Sequence, residues 1–239
     1  VTAMEAFVWS VRLPASASER DVALLDAAEC RRADRYRRTE DRASFVTGRA
    51  ALRRVLAEHL KTEADRIVLG RHSCPGCGSD DHGPPRVAFP PTQLSFSFSR
   101  SEQQALVAVV PAGAVGADVE VLRPLDVQET AAQCLSPVEA AYVRGLPPGE
   151  QLQAFYRAWV RKEAVTKAIG VGITMDLRTV DVSPDRKGPV TVQCGTGKGP
   201  RLWTVTDVEV LPGTMAALAL PSTRRQPSIH ARCLALLEG

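Results

Sequence analysis

The sequence predicts an α+β protein made of two similar α/β subdomains with a pseudo-twofold relation, residues 1–113 and residues 114–239. Three observations lead there. Strand and helix patterns occur in similar amounts in the two halves, although no internal sequence repeat accompanies them. Period-2 strand patterns are interspersed with helical patterns of period 3.6, as α+β chains require. Pro111-Ala112-Gly113 is a turn signal near the midpoint and marks the boundary.

Each element follows from local pattern. Ala6-Phe7-Val8-Trp9 reads as a strand, and an acidic, alanine-rich helical stretch begins near Ser18. The arginine-dense run Arg31, Arg32, Arg35, Arg37, Arg38 and Arg42 precedes a helix from Ser44 to Leu60, whose Phe45, Leu52, Val55, Leu56 and Leu60 share one face. Ile67-Val68-Leu69 reads as a strand, and Ser73 to Pro91 as a Gly/Pro/Asp-rich loop. Leu94, Phe96 and Phe98 then alternate with Ser95, Ser97 and Ser99, so the serines of this strand share the face opposite the phenylalanines. Ala105 to Val110 is the next strand.

The second half opens on a strand, Val115 to Val121, and a loop with Arg123-Pro124 leads to helical segments at Asp126–Cys134 and Pro137–Val143. A long helix runs from Gln151 to Ile169 and stops at Gly170 and Gly172. Short β patterns follow at Thr179–Val182, Val190–Val192, Trp203–Val205 and Ala216–Leu220, and the arginine-rich tail after Pro221 is expected on the surface.

Composition narrows the classes of function. With 44% hydrophobic and 24% charged residues, the chain is of ordinary globular type. No apolar run is long enough for a transmembrane helix, and no charged segment followed by an apolar one marks a secretory signal, so a cytoplasmic protein is expected. A net charge of +3 does not by itself argue for nucleic acid, and few aromatics accompany the arginine run. The six cysteines are scattered and read as reduced thiols. His72, Cys74, Cys77 and His82 could supply four zinc ligands, but the spacing is cramped and no second Cys-x-x-Cys exists, so the segment reads as a plain loop.

The chemistry concentrates in two places. Asp118 and Glu120 are two apart on a strand, so both carboxylates leave one face, where each raises the other's cost of ionisation unless a cation lies between them. Solvated acids on an edge strand are the simple alternative. On the long helix, at about 100° per residue, Leu152, Phe155, Tyr156 and Trp159 form an apolar stripe whose next position is Glu163, with Lys167 one turn on. An i, i+4 ion pair of Glu163 with Lys167 would contribute only about 0.2–0.5 kcal/mol. That does not account for a carboxylate in line with Trp159. Three acids and a lysine suit a hard divalent cation beside phosphate.

These residues resemble a known family. Val115-Gly116-Ala117-Asp118-Val119-Glu120, Leu135-Ser136-Pro137-Val138-Glu139 and Phe155-Tyr156 to Trp159-Val160-Arg161-Lys162-Glu163 and Lys167 are similar, in order and spacing, to the signature of 4′-phosphopantetheinyl transferases. The length is that of the Sfp-type subgroup. The resemblance implies a cleft between the halves that binds coenzyme A, transfer of its phosphopantetheine arm to a serine of an acyl or peptidyl carrier protein, release of 3′,5′-ADP, and a monomer serving polyketide, non-ribosomal peptide or fatty-acid synthesis. Asp118, Glu120 and Glu163 would hold Mg2+, and Glu163 would also be the base for the carrier serine. Lys167 would neutralise the transferred phosphate, and Lys162 would lie near the phosphates. Ser99, Arg100 and Arg32 would bind the 3′-phosphate. Arg100 stands where the family has histidine, and Pro84 where it often has lysine. The alternatives are another Mg2+-dependent nucleotide phosphotransferase and a zinc-containing nucleic-acid-binding protein.

Overall fold

In chain order the elements are β1 (Glu5–Arg12), α1 (Glu19–Val22), α2 (Ala27–Ala33), α3 (Thr39–Leu60), β2 (Val68–Arg71), β3 (Pro85–Phe89), β4 (Ser95–Ser101) and β5 (Gln104–Val110). The second half adds β6 (Gly116–Val121), α4 (Val127–Cys134), α5 (Pro137–Gly145), α6 (Pro148–Ile169), β7 (Val190–Thr196), β8 (Gly199–Asp207), β9 (Thr214–Pro221) and β10 (Ser228–Leu234). They come from a computed structural model that describes residues 4–172, 175–196 and 199–234.

Two four-stranded sheets, of order β10-β1-β5-β4 and β6-β9-β8-β7, each carry one 22-residue helix. On the first, Leu52, Val55 and Leu56 of α3 pack on Trp9, Phe96, Val107 and Val109. On the second, Phe155, Ala158 and Val165 of α6 pack with Trp203, Val205 and Ala217. A third apolar cluster joins the sheets: Ala6, Val8 and Leu106 meet Ala117, Val119, Leu218 and Leu220. The expected two-half α+β architecture is therefore what forms.

Local chemistry sets the helix ends. Ser18, Asp26 and Ser136 each accept from the backbone N–H three residues on, and Asp21, Glu29 and Glu139 return a bond to the cap. Gly170, at φ 87°, ends α6 in the left-handed region, as a glycine at this position does cheaply.

β4 and β6 are edge strands of their respective sheets, and they face each other. Instead of a backbone ladder, the serine row of β4 bridges them. Ala117 N donates to Ser97 Oγ at 2.9 Å and Val121 N donates to Ser101 Oγ at 3.1 Å. Exposed edges invite unwanted pairing. Here each edge satisfies the other, and the period-2 pattern of β4 puts hydroxyls on the seam and phenylalanines towards α3.

Three expectations are corrected. The Ser73–Pro91 loop contains β3, which pairs with β2 and buries only Val87, too little for a clear apolar pattern. Thr179–Val182 is no strand: a 3-10 turn over Leu177–Thr179 leads into irregular backbone whose Val180 and Val182 carbonyls accept from Lys162 and Arg161. The tail after Pro221 is on the surface, as expected, but it forms β10, which pairs in parallel with β1, so residues 228–234 lie on the sheet of the first half and not with the second half, to which a boundary at 113/114 assigns them. No helix of the described residues is long and apolar enough to cross a membrane.

Candidate active site

β6 rests directly on α6. A Cβ on Gly116 would stand 1.9 Å from Ala164 O and 2.4 Å from Ala168 N, so only glycine permits this approach. The contact brings Asp118, two residues on, against Lys167. Lys167 Nζ lies 2.6 Å from Asp118 Oδ1 and donates to Ser99 Oγ at 2.9 Å; the Ser99 hydroxyl donates to the same Asp118 oxygen at 2.6 Å. Ser101 Oγ donates to Glu120 Oε2 at 2.6 Å, and the Trp159 side chain adds a hydrogen bond to the Glu120 carboxylate. Residues from three elements, β4, β6 and α6, thus meet on the seam.

The charges do not balance. Asp118 is 3% exposed, and its Oδ2 is buried without a hydrogen-bond partner among the described residues. Burial, then the Asp118 charge, raises the pKa of Glu163 above the ordinary glutamate value, with Glu120 adding to it and Lys167 opposing. Burial and, to a smaller extent, Asp118 raise that of Glu120, opposed by the hydrogen bond from Ser101. Three carboxylates and one lysine leave negative charge uncompensated. Among the described residues, the oxygens of these three acids do not all lie within 4.8 Å of one another. An orphaned buried oxygen and an all-oxygen donor set with excess negative charge fit a hard divalent cation.

Two cavities flank the seam. One, of about 1010 Å³, is lined by Glu120, Arg12, Arg38 and Arg123. The other, of about 650 Å³, takes its walls from both halves: Arg32, Phe45, Arg49 and Arg71 on one side, Val115, Lys167 and Gly170 on the other. Arg100 lines both. Its Nη1 donates to Ser44 Oγ at 2.6 Å. Arg32 is exposed, with its guanidinium carbon 5.3 Å from the centre of the Phe45 ring.

Of the residues expected at the site, Asp118 and Lys167 are in contact, Glu120 and Glu163 feel their charges without closing into one cluster with them, and Arg32 and Arg100 line the cavity that Lys167 also borders. Lys167 pairs with Asp118, not with Glu163 four residues before it. Two expectations change. Lys162 is not near any phosphate-binding surface: it is fully buried, 2.6 Å from Glu139 Oε2, and donates to the carbonyls of Leu177 and Val180. The reason is helical phase, since Lys162 lies about 100° round α6 from Glu163. Ser99 is turned away from Arg100, because adjacent strand residues leave opposite faces, and its hydroxyl is committed to Asp118 and Lys167.

Sequence reading missed Ser101, Trp159 as a partner of Glu120, and Arg49 and Arg71 as cavity residues. Ser101 continues the alternation of Ser95, Ser97 and Ser99, a signal that was available. Arg71 was not legible: it reaches the cavity because β2 pairs with β3, and its Nη1 donates to Gly83 O at 2.9 Å, next to Pro84.

Comparison with known proteins points to one family. Residues 114–220, which contain Asp118, Glu120, Glu163 and Lys167, match the model of the 4′-phosphopantetheinyl transferase superfamily. The chain is 29% identical over 228 residues to the 4′-phosphopantetheinyl transferase HetI of Nostoc sp., an alignment covering 93% of this chain and 90% of that protein. It is 25% identical over 189 residues to a 4′-phosphopantetheinyl transferase of Bacillus subtilis, covering 78% and 80%. To the 4′-phosphopantetheinyl transferase AcpT of Salmonella typhimurium it is 32% identical over 141 residues, covering 59% and 65%. With the family's motif residues gathered on one seam and relatives aligning through both halves, the chain belongs to the 4′-phosphopantetheinyl transferase superfamily.

Proposed function

We propose that this enzyme binds coenzyme A across the seam and transfers its 4′-phosphopantetheine arm to a serine of an acyl or peptidyl carrier protein, with Asp118, Glu120 and Glu163 holding Mg2+. The observation that carries this reading is the Asp118 carboxylate. One oxygen is bonded to Lys167 and Ser99, the other is buried and bare, and two further acids stand near it. A bound Mg2+ would supply positive charge to the pyrophosphate oxygens.

The protein's own groups do the rest. The carrier serine oxygen attacks the β-phosphorus of coenzyme A. That O–P bond forms as the bond from the same phosphorus to the bridging oxygen breaks, and the bridging oxygen leaves with its electron pair on 3′,5′-ADP. The serine proton passes to Glu163, directly or through a water. Lys167, about a quarter exposed at the cavity edge, neutralises charge on the transferred phosphate, and Ser99 holds its ammonium in place. Arg32 and Arg100 receive the 3′-phosphate, where the always-charged guanidinium of Arg100 serves in place of a histidine. Arg71 adds a cation to the same wall and compensates for the lysine missing at Pro84, while Arg49 beside it is paired with Glu29. Catalysis on this account is positioning and charge neutralisation. The enzyme acts as a monomer, because one chain supplies both walls. Its carriers are domains of biosynthetic assembly lines, typically acidic, and the exposed arginines of α2 steer them.

The test is mass spectrometry of an apo carrier protein incubated with enzyme, coenzyme A and Mg2+, in which the carrier gains the mass of one arm. Glu163→Gln is expected to lower kcat/KM by about 10²–10⁴-fold with an unchanged circular dichroism spectrum. Near-normal turnover by that variant would remove Glu163 from the metal and base roles.

A further inference from the structure

The loop between β2 and β3 carries donors that the transferase site does not use. Cys74 Sγ, Cys77 Sγ and a ring nitrogen of His82 all lie within 4.8 Å of one another, and Cys77 Sγ is 3.2 Å from His82 Nε2. Zinc with Zn–S bonds of about 2.3 Å and Zn–N bonds of about 2.0 Å separates its tetrahedral donors by roughly 3.5 Å, so little movement closes the set. The backbone is folded to hold it. Gly78 N donates to Cys74 O at 2.8 Å and Cys74 N donates to Ser79 O at 2.7 Å, with Gly78 in the left-handed region at φ 78°. The N–H groups of Cys77 and Gly76 are directed at the Cys74 sulfur.

A second observation is independent of the donors. From Arg71 to Pro84, Cys74 is the only side chain that is buried, at 2% exposure, so the loop has no apolar core of its own. Its conformation nevertheless matters. A Cβ on Gly170, the cap of α6, would meet Pro84 Cγ at 2.9 Å and Pro75 Cγ at 3.4 Å. The loop therefore spans from the first half to the end of the helix that carries Lys167, and it lines the 650 Å³ cavity.

We propose that Cys74, Cys77 and His82 bind a structural zinc(II) ion that clasps this loop against the end of α6. His72, on the same loop, is the imidazole available for the fourth position of a closed site. A redox-active Cys74–Cys77 pair would leave His82 without a role, and both cysteines are free thiols. The zinc site stands apart from the transferase reading.

The experiment uses the full chain purified without chelator. Elemental analysis is expected to find about one zinc per chain. Cys77→Ser and His82→Ala lose most of it, while Cys233→Ser and Glu163→Gln keep it, which separates this site from the magnesium site. Cobalt(II) exchanged into the wild-type protein is expected to give thiolate-to-metal charge-transfer absorption that Cys77→Ser abolishes. A chelator lowers Tm, and zinc, not Mg2+, restores it. Wild-type protein with titratable thiols that neither retains zinc nor shows the cobalt band would overturn the assignment, as would a Cys74–Cys77 disulfide found by peptide mapping.

Discussion

Two lysines five residues apart on α6 make the same kind of ion pair and serve opposite ends. Lys162 is fully buried, and its partner Glu139 is 1% exposed. Every group in that pair is satisfied: Glu139 also accepts from Ser136 N and Val182 N at 2.8 Å, and Lys162 donates to two carbonyls. Lys167 is 27% exposed, and its partner Asp118 keeps one buried oxygen bare. A closed pair has nothing left to offer a ligand, so it acts as a tether between α6, the start of α5 and the segment after Leu177. An open pair with two more acids nearby is a place where an added cation or phosphate gains contacts. Completeness of hydrogen bonding, more than the residue types, separates structure from function here.

The comparison can be broken at either pair. Lys162→Met leaves Glu139 buried without its cation and is expected to cost about 3–5 kcal/mol in denaturant unfolding. Adding Glu139→Gln should recover much of that loss, and activity per folded molecule should stay near normal. A stable single variant with poor turnover would move Lys162 into the catalytic group. Lys167→Met should do the reverse. Asp118 is buried, but its paired oxygen keeps the hydrogen bond from Ser99 and Lys167 itself is 27% exposed, so the stability loss should be smaller than for Lys162→Met, while kcat/KM falls by about 10²–10³-fold through loss of a charge facing the phosphate. Equal effects on stability from the two lysines would erase the distinction.

Finer predictions sharpen the open site. Arg100→Ala is expected to weaken coenzyme A by about 10–100-fold, the loss of a charged hydrogen-bonding group, and 3′-dephospho-coenzyme A by far less. Equal losses would show that Arg100 does not read that phosphate. The smallest effect concerns pH. Glu120 and Glu163 have folded pKa values above the ordinary 4.5, with burial the largest cause. Between 4.5 and those raised values the folded protein binds more protons than the unfolded one, so stability of the metal-free protein should fall as pH rises through that window. Asp176, lowered to about 2, and Asp21, also lowered, contribute in the opposite sense only below 3.8, outside it. Tm measured against pH should show the decline, and Mg2+ should flatten it. A decline unchanged in Glu163→Gln would assign it to other groups.

Much of the site was legible because its spacing is local. Asp118 and Glu120 needed only the period of a strand, and Trp159, Glu163 and Lys167 only the period of a helix. The same reasoning failed at Lys162, where a motif position was given a role that helical phase denies it. It failed at Ser99, whose neighbour Arg100 occupies the other face of the strand. The tail after Pro221 is on the surface, as Arg224, Arg225 and Arg232 suggest; its pairing with β1 uses backbone, which composition does not report. The loop with Cys74, Cys77 and His82 was set aside for cramped spacing, yet a left-handed glycine folds that spacing into one cluster.

The sequence by itself determined the two-half architecture and the elements that carry the acids, since these depend on periodicity within single elements, while the reaction was implied by the resemblance of its motifs to a known family. Which acid meets which base was decided by the tertiary structure. Lys167 reaches Asp118 forty-nine positions away because Gly116 lets β6 sit on α6, and Ser99 joins them because two sheet edges meet side by side. Such contacts depend on how elements pack, and no local pattern encodes the distance between a strand edge and a helix that the chain visits later.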